Sequence, residues 1–271
     1  MTETATFKKV VRFDLVARLA EVRRVETITP GYVRVVLGGD DLGFRSEDAE
    51  DHFKLVIPED GAEKPVLPVF GPNGPSYPEG APRPTMRDYT PRHFDPETNE
   101  LTVDFVIHGE GPASNWASQA APGQFVGVLG PRGSHVVEDV FDWYLLIGDE
   151  TVLPSIARRL EEAAPGRKFI VFVEVDGAEN EQELTTAADA TVTWLHRNGA
   201  AAGTTTLLEE AVRGLEFPAG NGFVWAGGEA NTMKPIRRHL VNERGFDPSR
   251  LAFSGHWKLG VADHDHHEPV E

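Results

Sequence analysis

Residues 100–107 read Glu100-Leu101-Thr102-Val103-Asp104-Phe105-Val106-Ile107, and their period of two decides the fold of the first half. Leu101, Val103, Phe105 and Ile107 fall on one face, with Thr102 and Asp104 on the other, as in a strand buried on one side. Further short strands are expected around it. Residues 21–29 and 32–37 flank a Pro30-Gly31 turn, and 52–58 and 124–129 are apolar runs bounded by turn residues. Residues 66–84, rich in Pro and Gly, read as a long loop. Many short strands with turn signals between them imply an antiparallel barrel or sandwich.

The rhythm changes after about residue 140. Short buried-looking strands at 144–147, 169–175, 192–195 and 223–226 alternate with helical stretches at 153–164, 205–213 and 233–243. Such alternation implies a parallel sheet with crossover helices. A boundary near 139–142 therefore gives two domains, 1–140 and 141–271. From 263 the sequence is polar and is expected to be disordered.

Composition narrows the chemistry. The 271 residues hold no cysteine, which removes thiolate metal sites, iron–sulfur clusters and thiol nucleophiles. Electron transfer would then need a cofactor without thiols. The formal net charge of -17 disfavours nucleic acid and anionic membrane as partners. No apolar run approaches a membrane span, and no secretory signal is visible at the start, so a cytoplasmic protein is expected.

Three segments could carry chemistry. Arg87-Asp88-Tyr89-Thr90-Pro91-Arg92 puts Arg87 and Tyr89 on one strand face, with a guanidinium for phosphate and a ring for a flat partner. The same residues also suit an ordinary strand with a surface Arg. His108-Gly109-Glu110-Gly111-Pro112-Ala113-Ser114 loosens the backbone and starts a helix at Pro112, leaving amides and the Ser114 hydroxyl for an anion or for a simple cap. Gly148-Asp149-Glu150-Thr151 occupies the first strand–helix turn of the second half, where α/β sheets bind nucleotides. It is not a glycine-rich fingerprint, and its acidic pair would repel a pyrophosphate. Gly227-Gly228-Glu229-Ala230-Asn231 stands at the matching later turn, with Asn231 expected to cap the helix that follows.

The order of R-D-Y-T-P-R, H-G-x-G-P-A-S-x-W-A, G-P-R-G-S, G-D-E-T-x-L-P, A-G-G-E and S-G-H-W-K, spread over residues 9–260, resembles the siderophore-interacting protein family. That resemblance implies a six-stranded antiparallel Greek-key barrel holding FAD, followed by an α/β domain of ferredoxin-reductase type. It implies FAD-dependent reduction of a ferric siderophore, with NADPH or NADH, or else reduced ferredoxin, as donor, by a monomer. Arg87, Asp88, Tyr89 and Thr90 would match the flavin motif. Of these, Arg87 would meet phosphate, Tyr89 the isoalloxazine, and Thr90 the region of its redox-active nitrogen. His108, Gly111, Pro112, Ala113 and Ser114 would receive the FAD phosphates and nearby groups. Asp149, Glu150 and Thr151 would lie close to the flavin or its donor.

Lys54, Arg132 and Lys258 would line the siderophore pocket. In relatives the last position is often Arg, and Lys cannot form the same planar fork. Two other functions fit parts of the sequence, a general flavin or quinone reductase on the same fold and a siderophore carrier without turnover. An unrelated α/β nucleotide-binding protein would leave the first half unexplained. His264, His266 and His267 are read as chance residues of the tail rather than a metal site.

Overall fold

The computed structural model describes residues 7–72, 74–81, 83–108, 111–265 and 268–270. The chain divides into two compact units, Lys9–Val136 and the residues from Val137 onward, to which Phe7 and Lys8 also belong.

The first unit is built on a seven-stranded antiparallel sheet. Its strands are β1 (Lys8–Arg12), β2 (Ala17–Thr29), β3 (Tyr32–Gly38), β4 (Phe53–Ile57), β5 (Val69–Gly71), β6 (Gly74–Ser76), β7 (Thr85–Tyr89), β8 (His93–Asp95) and β9 (Glu100–Val106). After them come α1 (Pro112–Ser118), β10 (Phe125–Leu129) and β11 (Gly133–Val137). The main sheet runs β7-β4-β10-β2-β3-β9-β8, while β1 pairs with β11 and β5 with β6. Strands β7 and β8 lie at opposite ends of that order, yet only residues 90–92 separate them in sequence. Three residues span about 10 Å at most, so the sheet must curl until its edges approach. The Arg92 amide donates to the Thr102 carbonyl of β9 at 3.0 Å, across that gap. The six longer strands thus form a barrel, with three-residue β8 as an appendage.

Side chains of one pleat face fill the barrel: Val22, Val35, Leu37, Phe53, Leu55, Leu101, Val103, Phe105, Val126 and Val128 are all buried. Leu101, Val103 and Phe105 follow the expected alternation, but Asp104 on the opposite face is only 4% exposed. Arg34, its cross-strand partner, covers it with a two-pronged ion pair at 2.7 and 2.8 Å. The stretch 66–84 is less irregular than its composition implies. It holds the β5–β6 hairpin, in which Gly71 pairs with Gly74 and Gly74 takes φ +94°.

The second unit contains β12 (Trp143–Asp149), α2 (Leu153–Glu161), β13 (Lys168–Val175), β14 (Asp189–His196), α3 (Leu207–Gly214), β15 (Gly222–Glu229), α4 (Ala230–Arg238) and β16 (Leu251–Trp257). Its five strands are all parallel, in the order β14-β13-β12-β15-β16. Central strands covered on both faces are apolar throughout, and β12 and β15 are buried at every residue. The edge strand β16 is half-buried and mixes Ser254, Gly255 and His256 among its apolar residues, which hid it from a hydrophobicity pattern.

Two expectations for this unit need correction. Glu229 rather than Asn231 caps α4, its carboxylate accepting from the Thr232 amide at 2.7 Å. Two described residues of the tail after 263 are packed rather than free. The His264 side chain is 4% exposed, and Val270 packs into the cluster of Trp143, Leu208, Val212 and Leu240. His266 and His267 lie outside the described residues.

Candidate functional site

Strand β7 stands at one end of the main sheet's order, paired with β4. Its register places Tyr89 opposite Phe53 and Arg87 opposite Leu55, on the face that lines the core. Tyr89 is half-buried beside Phe105 (ring centroids 4.4 Å apart), and Phe105 meets Trp116 of α1 at 5.5 Å. Burial pushes the Tyr89 phenol up from its ordinary range, so it stays neutral. The Arg87 guanidinium donates to the Met86 carbonyl at 2.7 Å, and Thr90 is 9% exposed.

Beyond β9, the His108 amide donates to the Ser114 hydroxyl oxygen at 3.1 Å, folding the turn back on α1. Accepting that bond leaves the hydroxyl's own proton to donate elsewhere. Gly111 adopts φ +114°, and an added Cβ would meet the His108 ring at 3.3 Å. Pro112 then starts α1, as its sequence implies, with no side chain capping the helix. Gly109 and Glu110 fall outside the described residues. A cation, a half-buried ring, a hydroxyl and a glycine-lined helix start form a donor set suited to FAD.

Asp88 points the other way on β7. It holds Lys54 of β4 in an ion pair at 2.9 and 3.0 Å, so part of the lysine charge is already answered. Arg132 is exposed just before β11, its carbonyl accepting from the Phe13 amide at 2.9 Å. Both cations stem from chain fixed by Asp51. The Oδ2 atom of Asp51 accepts from Ser46 (2.7 Å), the amides of Glu47 (2.9 Å) and Asp48 (3.2 Å), and Ser134 (2.5 Å). Burial raises the Asp51 pKa despite these bonds.

In the second unit the carboxyl ends of the parallel strands carry a row of buried acids. Asp149 of β12 stands beside Glu174 of β13 in register. Asp149 Oδ1 accepts from the Thr151 amide (2.9 Å) and hydroxyl (2.5 Å). Its Oδ2 accepts from the Glu229 amide (3.0 Å) and the Trp257 indole (2.9 Å). Glu150 makes a two-pronged pair with Arg197 at 2.6 and 2.7 Å. Glu174 lies 3.6 Å from Arg197 and accepts from Thr205 at 2.6 Å. With burial dominant and Glu150 adding repulsion, the Asp149 pKa is pushed up to about 6. Burial likewise raises that of Glu174.

The side chains of Asp149, Glu150 and Thr151 therefore serve their own domain. Asp149 caps the turn that leads into α2 and Glu229 caps α4, so negative charge from the chain already stands at both helix starts. Sequence reading missed Glu174, Arg197 and Glu229 as a group. The available signal was an acid at the carboxyl end of successive apolar strands: Asp149, Glu174 and Glu229. Lys258 follows β16 directly. Among the described residues no cluster of three or more His, Asp or Glu could hold a metal, and no helix is long and apolar enough to cross a membrane.

Comparison with known proteins matches residues 21–135 to the siderophore-interacting FAD-binding domain and residues 141–260 to the siderophore-interacting protein family. An NADPH-dependent ferric-chelate reductase of Escherichia coli is 36% identical over 261 residues, covering 95% of this chain and 99% of the relative. The ferric vibriobactin reductase ViuB of Vibrio cholerae is 31% identical over 257 residues, 93% of each. The crystal structure of a siderophore utilization protein from T. fusca superposes with a TM-score of 0.89 at 47% identity, covering 96% of this chain and 99% of that one.

Proposed function

The chain belongs to the siderophore-interacting protein family, and from that premise we propose that it binds FAD and reduces ferric siderophores, releasing Fe(II). NADPH is the electron donor, as in the name of the Escherichia coli relative. The balance is one NADPH and two Fe(III) complexes giving NADP⁺, H⁺ and two Fe(II). Bound FAD supplies the conversion from an electron pair to single electrons. The observation that carries this reading is the placing of Arg87 and Tyr89 on one face of strand β7, with Thr90 at its end.

The protein's own residues bind and orient. Arg87 offers a fork of donors to phosphate. The neutral Tyr89 ring packs against the isoalloxazine and keeps water from it. Thr90 and Ser114 supply hydroxyl donors, while His108, Gly111, Pro112 and Ala113 shape the turn that receives the phosphates. Asp88 acts on the substrate side, through Lys54. Asp149, Glu150 and Thr151 shape the first turn of the second unit, and no phosphate needs to displace their intrachain bonds. Lys54, Arg132 and Lys258 attract the anionic siderophore complex. Oxygen ligands hold Fe(III) far better than Fe(II), so reduction itself loosens the iron, and no side chain has to coordinate it. We place the reaction in the cytoplasm, where pyridine nucleotide is kept reduced, and expect a monomer that can work without ferredoxin.

The test is an absorbance spectrum of the purified protein with chromatography of released cofactor, followed by anaerobic mixing. About one FAD per chain, bleached by NADPH and re-oxidised by a ferric siderophore as a ferrous chelator gains colour, supports the reading. Protein that neither contains nor takes up FAD overturns it in favour of a carrier. Flavin that turns over quinones but not iron favours a general reductase. Replacing Lys54, Arg132 and Lys258 together should then abolish iron reduction and spare NADPH oxidation.

A further inference from the structure

Lys258 is one of the cations proposed above to attract the ferric complex, and both of its chain neighbours are held by buried carboxylates. On one side the Trp257 indole N–H donates to Asp149 Oδ2 at 2.9 Å. On the other the Leu259 amide donates to Glu229 Oε1 at 3.1 Å. The two acceptors are themselves joined, since the Glu229 amide donates to the same Asp149 oxygen at 3.0 Å. Both are almost wholly buried, at 5% and 2% exposure. Lys258 then closes a tight turn, its carbonyl accepting from the Val261 amide at 3.0 Å.

The packing around this arrangement leaves little slack. Gly203 takes φ +73°, and a Cβ there would stand 2.8 Å from Glu229 Cγ and 2.9 Å from the Trp257 ring. Gly228 takes φ +140°, and a Cβ there would stand 2.6 Å from Asp149 Oδ2. Buried carboxylates that give up this much space to their neighbours are held in one geometry. A lysine side chain is long and loses much rotamer freedom when it grips a ligand. Holding the chain on both sides removes the separate cost of ordering the backbone on binding, so the rotamer loss is not added to by it.

We propose that Asp149 and Glu229 are positioning residues for Lys258, clamping residues 257–259 so that its ammonium is presented to the anionic ferric complex. The inference rests on the reading of Lys258 as a substrate contact. It also gives the acids of the Gly148–Thr151 and Gly227–Asn231 turns work on the substrate side rather than on a nucleotide.

Trp257→Phe tests it most cleanly, because it removes one N–H and keeps a ring, leaving Asp149 its bonds to Thr151 and Glu229. The holoenzyme should keep its FAD and its kcat within about twofold, while KM for a ferric catecholate complex rises about five- to tenfold, the span of one hydrogen bond. Amide exchange at Leu259 should quicken in the same variant. In a Lys258→Met background, already raised in KM, Trp257→Phe should add nothing further. A wild-type KM in Trp257→Phe, set against a raised KM in Lys258→Met, overturns the clamp alone. Equal increments with and without Lys258 overturn it too. A wild-type KM in Lys258→Met removes the substrate role of the lysine and the positioning role with it, and exchange at Leu259 still reports whether the backbone was clamped.

Discussion

Ser134 donates its hydroxyl to Asp51 at 2.5 Å across 83 residues of sequence, tying the chain beside Arg132 to the chain beside Lys54. Ser134 is 1% exposed and Asp51 4%, so solvent cannot replace the bond. Ser134→Ala leaves a buried carboxylate short of one donor. It should cost about 1–3 kcal/mol in urea unfolding and raise KM for the ferric complex with FAD content unchanged. An unaltered unfolding midpoint would show that the knot does not carry stability.

Arg87→Ala tests the flavin assignment. Loss of a charge-assisted bond to phosphate corresponds to about 1.5–3 kcal/mol, hence FAD binding weaker by about 10- to 100-fold in a fluorescence titration. Retention of stoichiometric FAD through dilution and gel filtration would remove Arg87 from the site.

Asp88→Asn should act in the opposite direction on substrate. The pair with Lys54 is partly exposed, and such pairs contribute up to about 1 kcal/mol. Freed of it, Lys54 should lower KM for an anionic complex by up to about fivefold, and added salt should erase the gain. A KM that rises instead would assign Asp88 a direct role.

Arg197→Met removes a guanidinium that reaches both Glu150 and Glu174, with side chains 5%, 16% and 4% exposed. Breaking a buried pair from one side costs about 3–5 kcal/mol. The variant should unfold at much lower urea, and addition of Glu150→Gln should recover part of the loss. Full additivity of the two substitutions would mean the groups do not interact.

The raised pKa of Asp149 carries a sign. A carboxyl that titrates near pH 6 when folded and near 3.8 when unfolded binds its proton more tightly in the native state. Its ionisation therefore costs stability, increasingly from about pH 4 and in full above pH 6. Asp149→Asn has no such ionisation, so its stability relative to the parent should improve between pH 4 and 7 and then level off. A constant difference over that range in urea unfolding would contradict the assignment.

Much of this was legible from local pattern. Alternation at 101–107 located a barrel strand, and the apolar runs at 144–147, 169–175 and 223–226 located the buried parallel strands. What local pattern missed depends on partners far away in sequence. Strand β16 is recognisable only once β15 lies beside it. Glu229 rather than Asn231 caps α4, at the point where the register with β16 shifts between Gly228 and Glu229. Val270 looks like part of a polar tail until the Trp143 cluster is assembled. The same distance dependence governed the site. Lys54 and Asp88 are 34 residues apart, and their pairing appears only in the register of β4 with β7. The pair Asp149-Glu150 read as repulsive to a pyrophosphate, whereas local donors and Arg197 make both residues internal acceptors.

The bonds flanking Lys258 have an evolutionary corollary. The bonds that hold this turn use the side chains of Asp149, Glu229 and Trp257 together with backbone atoms, the Lys258 carbonyl among them, and none of them uses the Lys258 side chain. The side chain at 258 can then be exchanged by single-codon drift without unsettling the backbone that presents it. With Lys258 a substrate contact, as proposed, ligand preference would be adjustable at one position while its mounting stays constant, and a library varied at 258 alone would be the economical place to redirect this reductase towards other iron chelates.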